Sequence, residues 1–132
     1  MSSWCFFFLG GFDFLTIFAA NYKTNFHLAV IFNNTMTKHI VTFQLTGTPQ
    51  ERVEVARRFK AALEALPEQI DVLQSIEVGI NENPAEQWDV VLTAVVPTLA
   101  DVETYAKHPA HVAAAALLAG HKANRACVDY DY

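Results

Sequence analysis

The sequence predicts an α+β fold: a ferredoxin-like βαββαβ domain whose sheet meets that of a second copy, forming a dimeric α+β barrel. Three observations lead there. Four stretches read as strands by alternation or by short apolar runs, and two intervening segments carry apolar residues at helical steps. These pieces come in the order strand, helix, strand, strand, helix, strand, all after Met36. The third observation is a break in composition at the same place. Residues 1–35 hold eight of the ten Phe and only two charged side chains, Asp13 and Lys23, whereas alanine and regularly spaced charges dominate afterwards.

The stretch KHIVTFQL (Lys38 to Leu45) alternates, with His39, Val41, Phe43 and Leu45 on one face and Ile40, Thr42 and Gln44 on the other. In GTPQERVEVARRFKAALEALPEQI, Thr48 offers an N-cap, Pro49 suits the first helical position and Glu51 completes a Thr-x-x-Glu capping box. Val53, Ala56, Phe59, Leu63 and Leu66 then form one apolar stripe, and Pro67 ends the helix. DVLQSIEVGI is a second strand and NENPAEQ a turn-rich loop. WDVVLTAVV is a third strand, apolar on both faces and so in need of cover on both. TLADVETYAKH is a short helix from Thr98, with Leu99, Val102 and Tyr105 or Ala106 inward. Pro109 disfavours helical geometry at His108 and starts another helix, PAHVAAAALLAGH, broken near Gly120. RACVDYDY closes the sheet. Helices on one face leave the other bare, a large apolar patch for a monomer. A face-to-face homodimer covers it, with Val41, Phe43 and third-strand residues as the expected interface.

At 132 residues, the chain has room for one substantial core. A hydrophobic fraction of 52% against 17% charged excludes a disordered chain. The net charge of −5 and scattered Lys and Arg leave no basic footprint, so neither nucleic acid nor an anionic membrane is expected as a partner. Cys5 and Cys127, at opposite ends, suggest no disulfide framework, which points to a reducing, cytoplasmic setting.

Residues 1–35 are expected to be a leader of doubtful origin, with Met36 as the true start and 36–132 as the domain. As a signal peptide the segment lacks a basic n-region, and Gly10, Gly11 and Asp13 interrupt its apolar run. No stretch near 20 residues stays apolar and uncharged, as a membrane span requires. Its crowding of Phe, Asn, Ile, Tyr and Lys, all from A/T-rich codons, fits upstream DNA. An export segment and a structural extension are the alternatives.

Met36 to Tyr132 resembles the stress-responsive A/B barrel (Dabb) family of the dimeric α+β barrel superfamily. The resemblance rests on KHIVTFQL, SIEVGINENPAEQWDVVL, YAKHPAHVA and the terminal RACVDYDY, which come in the family's order. It implies a homodimeric barrel and no single activity, since most members are known only as small stress-linked proteins. One plant branch, the olivetolic acid cyclases, closes a polyketide ring with histidine and tyrosine side chains. Carried over, its first-strand histidine falls on His39, its tyrosine on Tyr105 and the second histidine of the HPxH element on His111. A further cyclase histidine corresponds to Asp89, a departure from that branch.

The candidate catalytic set is therefore His111, Tyr105 and His39. His111 falls in the first turn of a helix, whose positive end disfavours an imidazolium and leaves a proton acceptor near neutral pH. Tyr105 could donate to a developing oxyanion. Each residue also has a purely structural reading: His108 as a cap, Tyr105 as core, His39 and His111 as satisfied polar groups. His108 and His111 as metal ligands would need Asp89 or Glu103, and no defined ligand spacing supports such a site, so no metal is expected. Phosphate loops, nucleophile motifs and nucleotide fingerprints are absent, so no cofactor is expected.

Three functions follow: a stress-associated dimeric barrel binding an apolar or aromatic small molecule, a cofactor-independent polyketide-cyclase-like or lyase enzyme using His and Tyr, and a protective oligomer. A cavity lined by His39, Tyr105 and His111 favours the first two, and a filled interior the third.

Overall fold

The computed structural model describes residues 35–132. The leader expected over 1–35, with His27 and Cys5 in it, lies outside the described residues except for Thr35. The elements are β1 (Thr37–Leu45), α1 (Pro49–Glu64), β2 (Ser75–Ile80), β3 (Val90–Val96), α2 (Leu99–Lys107), α3 (Pro109–Ala115) and β4 (Lys122–Asp131). Short 3₁₀ turns follow α1 at Leu66–Glu68 and α3 at Ala116–Leu118. This is the βαββαβ order, with the second helical segment split at His108-Pro109. The strands form one antiparallel sheet in the order β2-β3-β1-β4, so β1 lies inside it between β3 and β4.

Local chemistry explains the element boundaries. The Glu51 amide donates to the Thr48 hydroxyl at 3.3 Å, while the Glu51 carboxylate accepts from the Thr48 amide at 2.7 Å, which closes the capping box of α1. Gly47 precedes this cap at a φ of 106°, a conformation that costs a side chain dearly, and an added Cβ would lie 2.9 Å from the Glu51 carboxylate. Thr98 and Asp101 build a second capping box at the start of α2.

The core lies between the helices and one sheet face. Val41, Phe43, Leu45, Val78, Val90, Leu92, Ala94 and Val96 face Val55, Ala56, Phe59, Leu63, Tyr105 and Leu118. Phe43 and Phe59 meet edge to face at 5.5 Å between centroids. Three expectations need correction. Leu99, expected to point inward from α2, is 62% exposed at its first position. Val53 is 37% exposed, and Val55 takes its place in the α1 stripe. At 100° per residue, Val55 lies one turn from Phe59, whereas Val53 falls roughly 120° away. Val41 and Phe43, expected at the dimer interface, are 2% and 8% exposed within the helix-covered core. The face of β1 that carries Val41, Phe43 and Leu45 is the more apolar one, and the helices take it, leaving Lys38, Ile40, Thr42 and Gln44 on the bare face.

The bare face carries the alternate residues. Ile40 opposes Val128, Thr42 opposes Ala126 and Lys38 opposes Tyr130. Val91, Val128 and Tyr130 are 41%, 61% and 43% exposed there, a concentration of apolar surface on one side of the sheet. Among the described residues, no helix is long and apolar enough to cross a membrane.

Candidate functional site

His39 faces the helices because strand side chains alternate, and it shares the parity of Val41 and Phe43. The antiparallel register places Asp129 of β4 directly opposite, and His39 Nδ1 lies 2.6 Å from its Oδ1. A carboxylate only accepts, so His39 donates from Nδ1. Thr37 repeats the pairing one step along, its hydroxyl donating to Asp131 at 2.7 Å.

His111 is positioned by the helix break. His108 is extended at φ −62° and ψ 135°, and Pro109 opens α3 without needing an amide partner. The Ala110 amide donates to His108 Nδ1 at 3.2 Å, so His108 is the cap of α3. His111, in the first turn, has Nδ1 2.9 Å from the carbonyl oxygen of Ala106. That oxygen can only accept, so Nδ1 carries the proton and Nε2 is left as a base. Burial holds the His111 pKa below its ordinary value of 6.5, and the Ala106 bond opposes this without reversing it. The nearby His39 and Arg125 side chains lower it further. The ring is therefore neutral near pH 7.

Tyr105 joins the two imidazoles. Its ring lies 6.2 Å from that of His39, edge on, and 4.4 Å from that of His111. The residue is 0% exposed, and its hydroxyl has no hydrogen-bond partner among the described residues. Burial pushes its pKa well above the ordinary value of 10, so it stays a phenol.

A cavity of about 500 Å³ opens between the sheet and α2–α3. Val41, Phe43, Phe59, Leu92, Val102 and Leu118 give it apolar walls, and His39 and His111 reach its surface. Tyr105 does not line it. The structure thus brings together the three residues singled out from sequence, with two at the cavity surface and the tyrosine packed against them in the core.

Four residues that sequence reasoning passed over also reach this cavity: Lys122, Arg125, Cys127 and Asp129 of β4. Period-two alternation in the terminal strand puts the last three on one face, but only the β1–β4 register reveals that they face the helices. Cys127 Sγ lies 3.6 Å from His39 Nδ1 and 3.8 Å from Asp129 Oδ1. Burial first, then the Asp129 charge, push its pKa up, so it is a thiol rather than a ready nucleophile.

His39, Cys127 and Asp129 bring potential metal-ligating atoms within 4.8 Å of one another, the grouping among the described residues able to approach an ion together. The set weighed from sequence is otherwise engaged. His108 caps α3, and Glu103 pairs with Lys107. Asp89 accepts from the Leu45 amide at 2.7 Å and from Arg52 at 2.8 Å, tying the end of β1 to α1.

Comparison with known proteins agrees with this fold. The family described as "Stress responsive A/B Barrel Domain" matches residues 37–132. The chain belongs to the stress-responsive A/B barrel family. A family relative of solved structure is a dimeric protein of unknown function with a ferredoxin-like fold from Bacteroides fragilis. It is 48% identical, over 74% of this chain and 96% of that one, with a TM-score of 0.71. A dimeric ferredoxin-like protein of unknown function from Thermobifida fusca is 29% identical over 76% and 94% of the two chains, at a TM-score of 0.62. The hydroxynitrile lyase of Passiflora edulis shares the fold at 14% identity, covering 74% and 93%, with a TM-score of 0.59. No curated protein matches the chain.

Proposed function

We propose that this A/B barrel domain is a stress-associated homodimer that binds an apolar or aromatic small molecule in the cavity between its sheet and α2–α3, within the cytoplasm. The cavity itself carries the reading. Its volume of about 500 Å³ falls within the roughly 300–1,000 Å³ typical of small-molecule sites, and apolar walls with a few convergent polar groups are what such sites need. Dimerisation is supported by relatives described as dimeric and by the apolar surface of the bare sheet face. Residues 36–132 form the working unit, so a chain beginning at Met36 is expected to be a folded dimer by circular dichroism and light scattering. Aggregation of that shorter chain, with the full chain well behaved, would make the leader part of the fold.

The binding test is a thermal-shift screen of diverse small molecules against the wild type and His111→Ala. Ligands that raise the melting temperature of the wild type and lose part of that effect in the variant place binding at this cavity. Hits indifferent to His111 and to every other cavity residue refute it.

A second reading, a cofactor-independent lyase or polyketide-cyclase-like enzyme, is supported by the free Nε2 of a neutral His111. This nitrogen takes a proton from a carbon acid or hydroxyl, His39 backed by Asp129 shuttles it, and Tyr105 stabilises the developing oxyanion. Tyr105 lies off the cavity surface, so the last role requires the cavity to open toward its ring. With a substrate in hand, His111→Ala should cost about 10²- to 10⁴-fold in rate. A loss below about threefold refutes the base assignment. The protective-oligomer reading expects a filled interior, which this cavity does not support.

A further inference from the structure

We infer that the ligand of this cavity is an organic anion, an apolar or aromatic body bearing a carboxylate, with Lys122 and Arg125 receiving the charged end. This inference rests on the reading of the cavity as a small-molecule site. It begins with a break in the β1–β4 ladder. From Thr37↔Asp131 to Gln44↔Asn124 the register is regular, which would set Ala123 opposite Leu45. Instead the ladder shifts between Gln44 and Leu45, and Lys122 stands opposite Leu45. In a regular strand Lys122 would share the bare face with Asn124 and Ala126. The extra residue turns it to the helix side, where Arg125 already faces opposite Phe43. Both cations consequently line the cavity.

The pairing of the wall's charges, rather than their sum, then favours an anion. Two carboxylates also line it, and each is engaged: Asp129 with His39 at 2.6 Å and Glu103 with Lys107. Among the described residues, neither Lys122 nor Arg125 has a carboxylate within ion-pair distance. The cations are therefore the open valence of the site, set beside the apolar walls of Phe43 and Leu118. A guanidinium and an ammonium together suit a carboxylate, since charge-assisted hydrogen bonds are the stronger kind.

The test uses the full chain and three probes with one body and different heads: 4-butylbenzoate, 4-butylbenzyl alcohol and 4-butylbenzylamine, titrated by calorimetry at neutral pH. The benzoate is expected to bind about tenfold tighter than the alcohol, the scale of one charge-assisted hydrogen bond at a partly hydrated site. The amine should bind weakest. The double variant Lys122→Gln/Arg125→Gln should lose the preference and keep the affinity for the alcohol. Both residues are exposed, so the fold should tolerate the change. Equal binding of benzoate and alcohol, tightest binding of the amine, or a benzoate preference that survives in the double variant overturns the inference and leaves the small-molecule site standing. If none of the three binds, the underlying reading falls and the inference falls with it.

Discussion

Replacing Tyr105 with phenylalanine should make the protein more stable. The hydroxyl of Tyr105 is fully buried and meets no donor or acceptor among the described residues. A hydroxyl removed from water without a replacement bond costs about 1–3 kcal/mol. Tyr105→Phe deletes that oxygen and keeps the ring, so the contacts at 6.2 Å with His39 and 4.4 Å with His111 survive. Losing the dispersion contacts of one atom offsets part of the gain, which leaves a net stabilisation of about 1 kcal/mol. For a domain of about 100 residues this raises the melting temperature by roughly 4–8 °C. The assay is calorimetric melting of wild type and variant at one protein concentration, because the stability of a dimer depends on it. Tyr105→Ala, which removes the ring as well, should instead cost about 3–5 kcal/mol. A Tyr105→Phe protein that melts several degrees below the wild type would refute the reasoning, since the hydroxyl would then hold a partner in solution. Where turnover can be measured, the same variant should be slower while more stable, as expected of an oxyanion donor.

The other predictions concern the helix break, the two sheet faces and acid stability. His108→Ala removes the cap of α3 and should cost about 1 kcal/mol in chemical denaturation, with ligand binding unchanged; a loss below about 0.3 kcal/mol would deny it that role. Phe43→Asp puts a carboxylate into the core and should abolish folding by circular dichroism. Val128→Asp, on the bare face, should leave a folded chain that elutes as a monomer, and a persistent dimer would place the interface elsewhere. The folded-state pKa of His111 lies below 6.5, so the unfolded chain takes up this proton first on acidification. Its contribution to stability is complete above pH 6.5 and lost as pH falls toward the folded value. Wild type should therefore lose more melting temperature between pH 7.5 and 5.5 than His111→Gln does, and parallel losses would contradict the burial argument.

What could be read from sequence was what local chemistry determines. The Thr48–Glu51 box, the stop at His108 and the new start at Pro109 each depend on residues within one turn, and each is found where expected. The shared face of His39, Val41 and Phe43 follows from alternation alone. What covers that face does not, because Ile40 with Val128, and Thr42 with Val91 and Ala126, build a partly apolar surface on the other side as well. The pairing of His39 with Asp129 spans ninety positions and depends on register, as does the shift that turns Lys122 inward. Histidine and tyrosine thus announced themselves by residue type, while the charged partners on β4 became legible only with the sheet assembled.

The hydrogen bond between Ala106 and His111 makes backbone architecture part of the site's proton inventory. Were α2 continuous, the Ala106 oxygen would accept from the amide of Ala110, four residues on. The proline kink diverts that amide to His108 and releases the oxygen, and the imidazole claims it through Nδ1. One residue that never touches the cavity, Pro109, thereby decides which nitrogen of His111 is available there. A lineage that smoothed this bend into a single helix would keep every side chain of the site and still change its acid–base behaviour.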